Sequence, residues 1–140
     1  MSKTAVVFWS GTGNTEAMAN AVLEGMREKD AQADLLTPAE FGPDQAVDYD
    51  SIAFGCPAMG SEVLEESEFE PMFADVEKVL SGKNIALFGS YGWGDGEWMR
   101  NWEERCRQAG VVLAADSVLA NEMPDDDVLA ACRSLGFALA

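Results

Sequence analysis

Short apolar runs alternate with stretches of helical spacing along the whole chain. Four runs are strand-length and apolar on both faces: Ala5-Val-Val-Phe-Trp9, Ile52-Ala-Phe-Gly-Cys56, Ile85-Ala-Leu-Phe-Gly89, and Val111-Val-Leu-Ala-Ala115 continuing to Val118-Leu-Ala120. Runs without polar alternation suit parallel strands covered by helices on both sides. Residues 33–37 form a weaker fifth candidate. Between the runs, Phe69, Met72, Phe73, Val76, Val79 and Leu80 recur at helical intervals and place one apolar face on a helix that ends near Gly82. Ala17, Met18, Ala21, Val22 and Met26 do the same after Thr15. Trp98, Trp102 and Cys106 mark a third helix, and Val128, Cys132, Leu135 and Leu139 a fourth. Strict alternation of strand and helix predicts an α/β fold with a parallel sheet and right-handed crossovers. The 140 residues fit one domain, 1–140.

In such sheets ligands bind beyond the carboxyl ends of the strands, near the point where strand order reverses. The segments that follow Trp9, Cys56, Gly89 and Ala120 are therefore the ones to read for chemistry. The first is Ser10-Gly-Thr-Gly-Asn-Thr15. Its glycines permit a tight turn, its hydroxyls and amide are donors, and the following helix N-terminus adds N–H groups and a favourable dipole, a combination suited to a phosphate monoester. The same turn also serves simply as a helix cap. It lacks the Gly-Lys-Ser/Thr ending of a P-loop and the third glycine of a dinucleotide fingerprint.

The second segment is Pro57-Ala-Met-Gly-Ser-Glu62. Gly60 tolerates a peptide reorientation, Met59 offers a polarizable surface to a flat ring, and Glu62 can accept from a ring imide. Taken alone, these residues read first as an ordinary strand-to-helix turn with a solvent-exposed Glu. The third, Ser90-Tyr-Gly-Trp-Gly-Asp-Gly-Glu97, sets Trp93 between two glycines, where it can stack on a planar ligand or meet a protein partner.

Composition narrows the chemistry. There is no His, which excludes imidazole general bases, Ser-His-Asp triads and His-ligated metals. Three dispersed cysteines, Cys56, Cys106 and Cys132, give neither a CxxC pair nor a disulfide framework, and fit a reducing cytoplasm. No catalytic constellation and no metal site is expected. Nine Lys+Arg against 25 Asp+Glu leave a net charge of −16, a surface that repels nucleic acid and anionic lipid and attracts basic proteins. The one N-terminal apolar run is too short for a signal peptide or a membrane span.

The blocks Trp9-Ser-Gly-Thr-Gly-Asn-Thr-Glu16, Cys56-Pro-Ala-Met-Gly-Ser-Glu62, Phe88-Gly-Ser-Tyr-Gly-Trp-Gly94 and Asn121-Glu-Met-Pro124 stand in order at the strand ends, and through them essentially the whole chain resembles a short-chain flavodoxin of anaerobes. The resemblance implies a doubly wound five-stranded sheet of order 2-1-3-4-5 and one noncovalent FMN. It implies that Ser10, Thr12, Asn14 and Thr15, with Gly13, hold the 5′-phosphate, and that Gly11 belongs to the same cofactor-binding loop. Met59 and Trp93 would cover the two faces of the isoalloxazine, and Glu62 would bond the ring N3–H. The Met59–Gly60 peptide would turn on one-electron reduction so that its carbonyl accepts from N5 and stabilises the neutral semiquinone. Pro57, Ala58, Ser90, Tyr91, Gly92 and Gly94 would line the site, with Asn121 near the ribityl chain.

The function implied is a low-potential one-electron carrier, not an enzyme, that works between semiquinone and hydroquinone. It would be a cytoplasmic monomer meeting basic faces of redox partners transiently. Glu62, Glu65, Glu66, Glu68 and Glu70, with Asp95, Glu97, Glu122 and Asp125, Asp126 and Asp127, would supply a negative field that lowers the potential. An FMN-dependent quinone or nitro-compound reductase is the alternative on this fold. A phosphoryl-receiver domain would need an aspartate where Cys56 and Pro57 stand, and a low-molecular-weight phosphatase a Cys and an Arg within residues 10–15.

Overall fold

The computed structural model describes residues 3–11, 13–29, 32–59, 63–92 and 94–140. Its elements run β1 (Thr4–Phe8), α1 (Asn14–Arg27), β2 (Asp34–Leu36), α2 (Pro43–Ala46), β3 (Ser51–Gly55), α3 (Phe69–Val76), β4 (Asn84–Tyr91), α4 (Glu97–Gln108), β5 (Val112–Leu113), β6 (Val118–Asn121) and α5 (Asp126–Leu139). The strands pair in parallel in the order β2-β1-β3-β4-β5, with β6 also on β4. This is the doubly wound order 2-1-3-4-5.

Two details differ from the sequence reading. The last strand is interrupted: β5 pairs with Asn84 and Ile85 near the start of β4, β6 with Phe88 to Tyr91 at its end, and after the Ala114 N–H has donated to the Ile85 carbonyl at 2.8 Å residues 115–117 leave the ladder between them. An edge strand is paired on one side only, so its apolar sequence does not compel continuity. The helix from Phe69 also ends earlier than its periodicity implies. After Val76 it tightens into a 3₁₀ turn, Glu77–Val79, which still delivers Leu80 to the core.

Alternation along each strand sorts the core into two layers. Ala5, Val7, Ile52, Phe54, Ile85 and Leu87 face α3 and α4, where Phe69, Phe73, Trp98 and Trp102 are buried. Val6, Ala53, Ala86, Phe88 and Ala120 face α1 and α5. The small residues on this second face let those helices lie close. A Cβ on Gly25 would stand 1.9 Å from the carbonyl oxygen of Arg133, and one on Gly136 would stand 1.9 Å from that of Val22, so α1 and α5 meet backbone to backbone.

Candidate functional site

At the carboxyl ends of β1, β3, β4 and β6 the structure opens a cleft of about 350 Å³, lined by Trp9, Gly11, Asn14, Pro57, Ala58, Met59, Ser90, Tyr91, Gly92 and Glu122. The loops that the sequence singled out thus converge on one place. Ser10, Gly13, Thr15, Gly94 and Asn121 are not part of this lining. Thr12, Gly60, Glu62 and Trp93 lie outside the described residues.

The first loop is held together by Ser10. Its hydroxyl oxygen accepts from the N–H of Gly13 at 3.1 Å and of Glu16 at 3.2 Å, which wraps the turn around the start of α1. Gly13, with φ of 96°, takes the left-handed conformation that the turn into the helix requires. Thr15 is buried, and its hydroxyl lies 2.9 Å from Oγ of Ser90, so the first and third loops are tied by a side-chain hydrogen bond.

The second loop continues the ladder past the end of β3. Cys56 N–H donates to the Phe88 carbonyl at 3.2 Å and Ala58 N–H to that of Ser90 at 2.9 Å, after which Met59 N–H donates to the Val63 carbonyl at 2.9 Å. The Cys56 thiol is buried with its pKa pushed up to about 12, chiefly by burial, and it accepts the Glu65 N–H at 3.4 Å. It is a packed small side chain, not a thiolate.

Four carboxylates expected in the external field have other work: Asp95 is bridged to Arg100 at 3.0 Å, Asp125 caps α5 by accepting the Val128 N–H at 2.9 Å, and Glu65 and Glu70 are tied within the fold. Glu65 is only 6% exposed, and its oxygens accept the N–H groups of Ser67, Glu68 and Phe69 at 2.7 to 2.9 Å, capping the entry to α3. Burial would raise its pKa, but these bonds outweigh that and hold it below the ordinary Glu value. The stabilisation is therefore complete above the ordinary carboxylate pKa and is lost as pH falls through the depressed folded value. Glu65→Gln is expected to cost about 1 kcal/mol at neutral pH and to flatten the acid side of the stability profile. Urea titrations between pH 3 and 7 check this, and parallel profiles for the two proteins would refute it. Glu70 is bridged to Arg105 at 2.7 and 2.8 Å, which offsets its charge. Of the remaining carboxylates, Glu66, Glu68, Glu97, Asp126 and Asp127 are exposed and Glu122 stands in the lining of the cleft.

Trp9 and Glu122 are lining residues that the motif reading did not assign to the site. Each directly follows the element that ends at the cleft, a positional signal available in the sequence. Glu122 takes φ of 59° and donates its N–H to the Tyr91 carbonyl at 2.6 Å, which fixes it beside the third loop.

The donor set fits a flat ring with an anionic tail: Trp9, Pro57, Ala58, Met59 and Tyr91 make apolar walls, and the Gly-rich first loop brings backbone N–H groups without any Lys or Arg. The sequence pattern of the flavodoxin family matches residues 6–136. The chain belongs to the flavodoxin family. The flavodoxin of Megasphaera elsdenii is 44% identical over 135 residues, 96% of each chain, and that of Clostridium beijerinckii 45% identical over 121 residues, 86% of this chain and 88% of that protein. The solution structure of two-electron reduced Megasphaera elsdenii flavodoxin superposes with a TM-score of 0.88 at 43% identity, covering 97% of both chains. Like other flavodoxins, this protein is an FMN-binding electron carrier that serves redox partner proteins, not an enzyme. Among the described residues no helix is long and apolar enough to cross a membrane.

Proposed function

We propose that the chain is a single FMN-binding domain, residues 1–140, which carries single electrons at low potential, working between the one-electron- and two-electron-reduced states of FMN. Bound in the cleft, FMN supplies the redox chemistry. The protein's part is to bind, orient and bias it. Ser10, Gly11, Thr12, Gly13, Asn14 and Thr15 hold the phosphate by hydrogen bonds and the α1 dipole. Pro57, Ala58, Met59, Gly60 and Glu62 form one side of the ring site, and Ser90, Tyr91, Gly92, Trp93 and Gly94 the other, with Asn121 beside the ribityl chain. The observation that carries this reading is the convergence of these loops on one predominantly apolar cleft.

The acidic rim favours transient encounters with basic faces of partners, and the charge and size suit a cytoplasmic monomer. Stepwise reduction under visible spectroscopy tests the reading. A long-wavelength blue absorbance peaking at one electron per FMN is expected. Direct bleaching in a single two-electron step would favour a reductase instead.

A further inference from the structure

Two segments of the cleft lining are tied to a side chain outside it. Trp98, in the first turn of α4, is 1% exposed, and its indole Nε1–H donates to the carbonyl of Cys56 at 3.1 Å. That carbonyl stands where β3 gives way to the wall formed by residues 57–59. The backbone bonds on either side, Cys56 to Phe88 and Ala58 to Ser90, hold this segment to β4. The indole bond holds it to α4. Gly89 makes the reach possible, because a Cβ there would stand 2.2 Å from the Cys56 oxygen and 3.1 Å from Cζ2 of Trp98. Tyr91, also in the lining, has its ring 5.5 Å from that of Trp98.

Burial alone does not call for such a bond. One turn further along α4, Trp102 is 2% exposed, and its indole nitrogen has no hydrogen-bond partner among the described residues. The two indoles thus fill similar core positions, and one of them also grips the wall.

We propose that Trp98 is a positioning residue whose indole N–H fixes residues 57–59 relative to Tyr91, and so presets that wall of the cleft for the electron-carrying states. The proposal rests on the reading of the cleft as the FMN site. A wall held in place spends less conformational entropy when it bonds the one-electron-reduced ring, which separates the two one-electron potentials. A loosened wall brings them together.

The test compares the FMN-loaded protein with Trp98→Phe, with Trp102→Phe, and with Trp98 replaced by β-(3-benzothienyl)alanine, which keeps the bicyclic ring and puts sulfur in place of the N–H. Amide hydrogen exchange and both midpoint potentials are measured. Both changes at Trp98 are expected to speed exchange at Ala58 and Met59 about tenfold, as the loss of a buried hydrogen bond implies, and to narrow the gap between the potentials. Trp102→Phe should leave both at wild-type values. Wild-type exchange and potentials in the benzothienyl protein would overturn the proposal even if Trp98→Phe fails to fold. Equal effects from Trp102→Phe would overturn it too, since they would report lost volume. If the wild type takes up no FMN, the reading of the cleft fails, and exchange at Ala58 and Met59 still decides the role of Trp98.

Discussion

Gly136→Ala should lower the melting temperature by roughly 10 °C, the opposite of what alanine does at an exposed position inside a helix, where it gains up to about 1 kcal/mol over glycine. The added methyl would lie 1.9 Å from the carbonyl oxygen of Val22 and 2.9 Å from the amide nitrogen of Met26. Those are backbone atoms, so no rotamer change relieves the contact. Either α5 moves away from α1 or both helices bend, and cost from overpacking of this kind runs to about 3 kcal/mol. At a few degrees per kcal/mol for a domain of this size, that gives the stated shift. Gly25→Ala meets the carbonyl of Arg133 across the same crossing and should behave alike. The double variant should fall short of the sum, because the first methyl already separates the helices. Thermal unfolding of the three variants decides the matter, and an unchanged or raised midpoint for Gly136→Ala would show that the helices do not meet at backbone contact.

Glu122→Gln should raise the potential of the lower couple, the second largest effect expected. Glu122 is the one carboxylate among the described lining residues. A unit charge about 10 Å from the reduced ring shifts a one-electron couple on the order of 20 to 70 mV, the range set by effective dielectrics of about 80 and about 20. Exposed Glu66 and Glu68, reversed together to Lys, should shift it in the same direction, and salt should reduce that shift more than the Glu122 effect. Glu65→Lys does not belong in this series, since it would break the cap of α3 instead of adding a distant charge. Spectroelectrochemistry at low and high ionic strength separates these cases. A potential indifferent to Glu122→Gln at low salt would assign the bias to hydrogen bonding and stacking instead.

The fold was legible wherever burial dictates residue type. β1, β3 and β4 are covered on both faces and read as unbroken apolar runs, and α4 declared itself through Trp98, Trp102 and Cys106 at intervals of four. The interruption of the last strand was not legible, because residues 115–117 carry no proline or glycine to mark it. At the site, the loops that meet at the cleft followed from strand ends and glycine placement, but Trp9 and Glu122 in its lining were not singled out as such, and Ser10, Gly13, Thr15, Gly94 and Asn121 stand outside that lining. The role of Glu65 did not follow, since within Glu-Glu-Ser-Glu it is chemically identical to its exposed neighbours and only the path of the chain turns it inward. The indole bond of Trp98 spans 42 residues of sequence, and helical periodicity reports that the ring is buried without saying where its N–H points.

The interruption between β5 and β6 bears on solubility. Every open sheet ends in strands whose outward N–H and C=O groups can recruit a strand from another molecule. Here one border is only three residues long, Asp34–Leu36, and the other is cut into segments of two and four. Neither offers a run long enough to template a stable intermolecular ladder. A carrier that must collide constantly with other proteins and let go of each is thereby kept from joining them through its backbone.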